Sequence, residues 1–153
     1  MKLVEISRQL TEVYEGNPWF GKTLSTYLQE IKPDALSTRM NEGHSIGQII
    51  SHMIEWRKFV ILKLQNKPTS LEVGTPQDWT DHAFTTEDKT QLYTELKETQ
   101  KTLIHILSVA QDELLEQTVP GEAYSFEHLL VGIIQHDIYH LGQIYLLKSS
   151  MTS

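Results

Sequence analysis

The sequence contains no cysteine among its 153 residues. This absence excludes disulfide bonds, thiolate metal ligands and a cysteine nucleophile. Long apolar runs are also missing, since none approaches the roughly 20 residues that a membrane-spanning helix needs. The first residues, MKLVEISRQLTEVYEG, lack the apolar core of a secretory signal. We therefore predict a cytoplasmic protein that does not span a membrane.

A basic patch is the second missing feature. The chain has 13 Lys and Arg against 20 Asp and Glu, which gives a formal net charge of −7 with neutral histidines. Its basic residues are scattered, with no more than two in a row. Nucleic-acid binders usually carry a basic patch or stripe, and anionic membranes attract the same feature. We therefore expect neither a nucleic acid nor a membrane as a partner.

Helical periodicity is what the sequence does contain. The length and the 39% hydrophobic content suit a single domain spanning residues 1–153. No run alternates strictly enough to predict a strand. Four helical regions are predicted, at about 2–31 with a break or kink at 16–18, from the Ser45 cap to about 64, at about 86–116, and from the Ser125 cap to about 148. Phe20 and Leu114 fall on inner stripes of the first and third regions.

These regions predict an all-α fold, a four-helix bundle. The long connection at about 66–86 separates the second and third helices and is rich in Pro, Thr, Gly and Asp. A connection of that length is able to cross from one end of a bundle to the other. The predicted architecture is therefore a four-helix bundle with a long crossover connection between its second and third helices.

Two histidines lie on the apolar stripe of the last helix. His136 and His140 are four residues apart in QHDIYHLGQ, and the stripe continues through Leu129, Ile133 and Ile144. Residues four apart on a helix point the same way, with Cβ atoms about 5–6 Å apart. This spacing allows two imidazoles to chelate one ion, as in helical zinc sites. The alternative is that each ring is a buried core histidine with a backbone partner.

A tight site needs a third ligand, and five other histidines are available. We expect His44, His82 and His105 to be solvated, and His128 to lie several residues below the pair. His52 differs because it shares one face of the second helix with Ile49 and Trp56. It is able to meet the pair if the second and fourth helices are neighbours.

Two longer blocks resemble the motif helices of the DinB-like superfamily, also described as DinB/YfiT-like metalloenzymes. They are HSIGQIISHMIEW (44–56) and GIIQHDIYHLGQIYLLK (132–148), and PWFGKTLSTYL (18–28) is similar to the family's first helix. The resemblance implies a four-helix bundle that binds one divalent ion, zinc or nickel. By motif position, it implies that His52, His136 and His140 are the metal ligands.

The resemblance also suggests a reaction. Some members of this superfamily are S-transferases that use low-molecular-weight thiols such as bacillithiol, mycothiol or glutathione, and others are linked to stress. Three histidines leave an open metal position, as in catalytic sites. Because the chain has no cysteine, a nucleophilic sulfur would arrive with a substrate. We therefore predict a metal-dependent S-transferase that takes a small thiol and an electrophile.

Two other functions stay open at this point. One is a metal-dependent hydrolase, and the other is a non-catalytic, stress-related bundle that binds a metal or ligand. The motif HDIYH differs from the zinc-protease motif HExxH, which places a glutamate base directly after its first histidine. Glu55, one turn after His52, is the predicted proton acceptor, with Asp137 and Tyr139 as alternatives. A homodimer is left open.

Overall fold

The computed structural model describes residues 1–150. Within that range it contains five α-helices and no β-strand. The helices are α1 (Leu3–Glu15), α2 (Leu24–Glu30), α3 (Ile46–Leu64), α4 (Lys89–Val109) and α5 (Phe126–Ser150). Short 3-10 helices lie in the connections, at Pro33–Ser37, Thr86–Asp88 and Asp112–Glu116. The predicted all-α class is confirmed.

The four longer helices contact one another in a ring. α3 packs against α4 and α5, and α1 packs against the same two helices. The short α2 packs against α1. The contact between α3 and α5 matters most for function, because these two helices carry the histidines of the predicted site. No helix within residues 1–150 combines the length and apolar character needed to cross a bilayer.

Serine caps fix where α3 and α5 begin. Ser45 Oγ accepts a hydrogen bond from the Gln48 N–H at 3.1 Å, and Gln48 Oε1 accepts one from the Ser45 N–H at 2.9 Å. This reciprocal pair is the predicted capping box. Ser125 Oγ accepts a hydrogen bond from the His128 N–H at 3.2 Å. Both predicted helix starts are therefore confirmed.

The first and third helical regions were predicted too long. Residues 16–23 separate α1 from α2, because Pro18 lacks an N–H donor and follows the helix-ending Gly16. Phe20 consequently lies outside any helix and is 47% exposed, rather than in the core. α4 ends at Val109, and a 3-10 helix follows after a short gap. The tighter turn of this 3-10 helix buries Leu115 rather than the predicted Leu114.

Candidate metal centre

Three histidine side chains converge where α3 packs against α5. His52 comes from α3, and His136 and His140 come from successive turns of α5. One ligand atom of each lies within 4.8 Å of the others. His136 Nε2 is 3.0 Å from His52 Nε2 and 3.2 Å from His140 Nε2. The structure therefore brings together the three side chains that were predicted to bind a metal.

The other ring nitrogens of His52 and His140 face hydrogen-bond acceptors. His52 Nδ1 lies 3.0 Å from the Asp78 carbonyl oxygen and 2.9 Å from Asp78 Oδ1. His140 Nδ1 lies 2.7 Å from Gln143 Oε1. Both Nδ1 atoms therefore carry the ring proton and donate it to these oxygens. Each ring consequently presents a bare Nε2 lone pair to the centre, as metal-binding histidines do.

This arrangement of protons favours a cation at the centre. A neutral imidazole carries one ring proton, so His136 Nε2 donates to at most one of the neighbouring Nε2 atoms. In at least one of the two Nε2–Nε2 contacts, at 3.0 and 3.2 Å, two nitrogen lone pairs therefore face each other with no proton between them. A divalent ion would convert all three lone pairs into ligands. The residues present therefore fit a metal ion.

The spacing of the nitrogens also fits a first-row transition metal. Zn–N bonds of about 2.0–2.1 Å at a tetrahedral angle separate two ligand nitrogens by about 3.3 Å. The two Nε2–Nε2 distances, 3.0 and 3.2 Å, are close to that value. His136 is the least restrained of the three rings, because its Nδ1 has no hydrogen-bond partner within residues 1–150.

Burial keeps all three rings neutral. It lowers the pKa of His136 to about 3, with help from the positive charge that its neighbouring histidines would carry. Burial likewise lowers the pKa of His140 to about 4. The pKa of His52 is also lowered by burial, although Asp78 opposes the shift. Protons therefore compete weakly with a metal ion at neutral pH.

Asp78 is a site residue that the sequence analysis missed. It lies in the connection between α3 and α4, and its side chain is only 3% exposed. Besides His52, its carboxylate accepts hydrogen bonds from Trp56 Nε1 at 2.7 Å and the Gly74 N–H at 2.8 Å. Burial raises the pKa of Asp78, but these donors and His52 outweigh it and leave the pKa lowered. An ionised Asp78 thus orients both His52 and Trp56.

Local sequence offered only a weak signal for Asp78. A lone acid in a Thr- and Pro-rich connection is usually solvated, and 26 residues separate it from His52. Its neighbour Trp79 covers the site. The Trp79 ring stacks on His52 at 3.8 Å and on His44 at 3.7 Å. His44 is exposed as predicted, but it forms the outer layer of this stack.

The predicted proton acceptors occupy three different environments. Glu55 is partly buried, and its carboxylate accepts a hydrogen bond from Gln77 Nε2 at 3.2 Å and lies 3.6 Å from Lys58 Nζ. Tyr139 is 65% exposed on the outer side of α5, although its ring edge contacts His140. Asp137 is buried and points away from the site, into the core.

Asp137 pairs with a fully buried arginine. Arg57 donates to Asp137 Oδ2 through Nε at 3.2 Å, and its Nη2 lies 3.1 Å from the same oxygen. The guanidinium also donates to Thr99 Oγ1 at 3.0 Å and Gln100 Oε1 at 2.6 Å. Burial raises the pKa of Asp137, and Arg57 opposes that shift. We assign Asp137 to this network, which ties α3, α4 and α5 together directly behind His136.

Two clefts lie beside the site, one lined by His136 and the other by residues that contact His52 and His140. One, of about 230 Å³, is lined by residues of α3 and α5 that include Trp56 and His136. The other, of about 330 Å³, is lined by residues that include His44, Trp79 and Gln143. Along α5, the first cleft lies before the His136–His140 turn and the second lies after it. His82 and His105 are exposed and outside the site, as predicted.

The fold and the converging histidines define a class of protein: an all-α protein with a candidate metal site between two helices. The chain belongs to the DinB family, whose family model matches residues 6–149. That range includes the three histidines of the candidate site, His52, His136 and His140. The predicted resemblance to this family is confirmed. Comparisons with curated proteins and with solved structures found no match.

Proposed function

We propose that this DinB-family chain binds one divalent metal ion, zinc or nickel, and transfers a low-molecular-weight thiol to an electrophile. His52, His136 and His140 would hold the ion, and imidazole suits both metals. The observation that carries the proposal is the convergence of three Nε2 atoms beside a cleft lined by His136, with a second cleft lined by Gln143 and Trp79, which contact His140 and His52. Two clefts suit a reaction with two organic substrates better than hydrolysis, which needs only one.

The protein residues would prepare the site in three ways. Asp78 and Gln143 fix the tautomers of His52 and His140 through the Nδ1 protons. Trp79 shields the face of His52 from water. A bound divalent ion with an open position lowers the pKa of a thiol or water that binds it. The sulfur must come from a substrate, because the chain has no cysteine.

The proposed transfer involves no change of oxidation state. The thiol loses its proton, and the sulfur electron pair forms a bond to the electrophilic carbon. A leaving group departs from that carbon with its bonding electrons. We propose Glu55 as the proton acceptor, since it lies one turn after His52 and its partner Gln77 adjoins Asp78. Solvent would then take the proton from this partly exposed carboxylate.

Two further parts of the proposal concern the architecture and the location. The ring of contacts among α1, α3, α4 and α5 supports a four-helix bundle, with residues 65–88 as the crossover between α3 and α4. A cytoplasmic location would give the protein access to the reduced low-molecular-weight thiols that the reaction requires. A homodimer stays open, and the absence of nucleic-acid binding stays a prediction.

A conjugation assay tests the proposed function. Metal-loaded protein would be incubated with a panel of small thiols and a chromogenic electrophile such as 1-chloro-2,4-dinitrobenzene. We expect thiol-dependent turnover that falls at least about 100-fold in His140→Ala, because loss of a group that only supports a metal ligand already costs about 10- to 100-fold in activity. His105→Ala is the control, since His105 is exposed on α4 and should keep full turnover.

A cobalt-substituted protein provides a second measurement. Thiols should add a sulfur-to-cobalt charge-transfer band to the wild-type spectrum and to His105→Ala, but not to His140→Ala. If thiols leave the spectrum unchanged while the protein hydrolyses an ester or amide, a hydrolase replaces the transferase. If neither activity occurs across the panel, the chain is a non-catalytic metal-binding protein.

A further inference from the structure

The length and volume of the cleft beside His136 limit the size of a ligand. It follows α5 from His136 back to His128, which is eight residues or about 12 Å of helix. Its volume is about 230 Å³. For comparison, a cavity of about 150 Å³ in a protein core holds one benzene molecule. The cleft therefore has room for a molecule one ring larger than benzene, such as a two-ring aromatic.

Within the described chain, the walls of this cleft lack acidic residues, lysine and arginine, and they are rich in rings. Val60 and Ile133 supply aliphatic walls, and Trp56, Tyr124 and His128 supply ring faces and edges. Trp56 is held in place by its 2.7 Å hydrogen bond to Asp78. Such walls favour a neutral aromatic molecule, since a buried charge would lack a partner.

Gly132 keeps the cleft open. A glycine inside a helix costs about 1 kcal/mol relative to alanine, so its presence requires a reason. A Cβ atom at Gly132 would meet nothing within 4 Å, so close packing is not the reason. At Gly47, in contrast, a Cβ would lie 2.5 Å from Phe84 Cβ. Gly132 lines the cleft one turn before His136, where any larger side chain would project into the open space.

We infer that this cleft binds the electrophilic substrate, that the substrate is a neutral aromatic molecule of about two rings, and that Gly132 determines this specificity. The electrophilic character of the ligand rests on the proposed function. The size and neutrality of the ligand rest on the cleft alone. A ligand seated along Trp56 would place its inner end beside His136, next to the three converging Nε2 atoms.

Binding of an unreactive probe tests the cleft without requiring catalysis. Calorimetry would measure the affinity of 1-naphthalenemethanol for the full chain as purified with its metal. We expect Gly132→Leu to weaken binding at least about tenfold, which corresponds to about 1.4 kcal/mol. Gly142→Leu is the matched control. Gly142 also lies on α5, and a Cβ added there would meet nothing within 4 Å, but it is exposed and outside this cleft.

Three results would overturn the inference. They are no binding of the probe at its solubility limit, equal weakening by Gly132→Leu and Gly142→Leu, and equally tight binding of anionic 1-naphthalenesulfonate. Metal content must stay the same in both variants, and both should fold, because leucine favours a helix more than glycine does. Probe binding that Gly132→Leu abolishes would uphold the aromatic cleft even in a protein without transferase activity.

Kinetics then test whether the cleft holds the electrophile. With a fixed thiol, Gly132→Leu should raise the KM for 1-(chloromethyl)naphthalene at least about tenfold and leave kcat/KM for the small electrophile iodoacetamide within about twofold. The absence of cysteine keeps alkylation of the protein's own thiols out of this assay. Unchanged KM values for both electrophiles would show that the electrophile binds elsewhere, even if the protein catalyses the thiol reaction.

Discussion

At the scale of single residues, the oxygens that accept the Nδ1 protons of the histidines would determine how tightly the proposed metal is bound. Asp78 accepts the Nδ1 proton of His52 and fixes Trp56 with the same carboxylate. We expect Asp78→Asn to weaken zinc affinity about 10- to 100-fold while the helical circular dichroism stays unchanged. A chelator-competition titration measures this. Asp81→Asn, at an exposed position of the same connection, should bind zinc as wild type does; equal affinities in both variants would contradict the orienting role.

The lowered pKa values of His136 and His140 predict a pH dependence for the metal-free protein. Their pKa values are about 3 and about 4 when folded, against about 6.5 for an unperturbed histidine. Between these values the unfolded chain binds more protons than the folded one, so stability falls as pH falls. We expect the urea midpoint to decrease from pH 7 to pH 5.

A variant isolates the contribution of these two rings. His136→Gln with His140→Gln should lose most of that decrease, because neither replacement titrates in this range. Urea unfolding in the presence of a chelator, at pH 7, 6 and 5, measures both proteins. The carboxylates with lowered pKa values titrate below this window, so they do not obscure it. An equal decrease in both proteins would assign the pH dependence to other groups.

At the scale of helices, the Arg57–Asp137 network ties three of the long helices together. Both side chains are almost completely buried. We expect Arg57→Ala to destabilise the fold by about 3–5 kcal/mol, because it leaves Asp137 as a buried charge without a partner. Urea unfolding measures the change.

An exposed arginine on α1 provides the comparison. Arg8 pairs with Glu5 and Glu12 at 2.7 and 2.8 Å, but its side chain is 55% exposed. Arg8→Ala should therefore cost no more than about 1 kcal/mol. If the two substitutions cost the same, the buried network contributes no more than a surface ion pair does.

Local signals predicted some helices well and others poorly. The start of α3 followed from the Ser45 capping box, which involves residues only three apart. The break at 16–18 was predicted from Gly16 and Pro18, but its extension to residue 23 was missed because apolar spacing continued across that stretch. The end of α4 was missed for a related reason, since a 3-10 turn buries a different side chain from the one that α-helical spacing predicts.

At the scale of the whole molecule, removal of the proposed metal should lower the stability of the fold without unfolding it. Two apolar clusters form the core, and they are built from residues of all five helices and the connections rather than from the three histidines. A chelator should lower the melting temperature by about 5–10 °C, as expected for loss of roughly 2–3 kcal/mol of ligand binding in a domain of this size. Far-UV circular dichroism at 25 °C should stay largely helical; its collapse would show a structural site.

The sequence by itself determined the helical class and the pairing of two histidines. Its lack of cysteine also excluded disulfides, thiolate ligands and a cysteine nucleophile. The pairing of His136 with His140 is a property of one helix, so four-residue spacing was enough to predict it. The family resemblance added His52, whose approach to the pair depends on α3 lying beside α5.

Only the tertiary structure decided what surrounds those rings. Asp78 reaches His52 across 26 residues, and Asp137 reaches Arg57 across 80. The sequence offered Asp137 as an alternative proton acceptor at the site, whereas packing directed it to a buried arginine. Helical periodicity records which face of a helix is buried. It does not record which partner covers that face or how a long connection folds back, because those contacts depend on the packing of all the helices together.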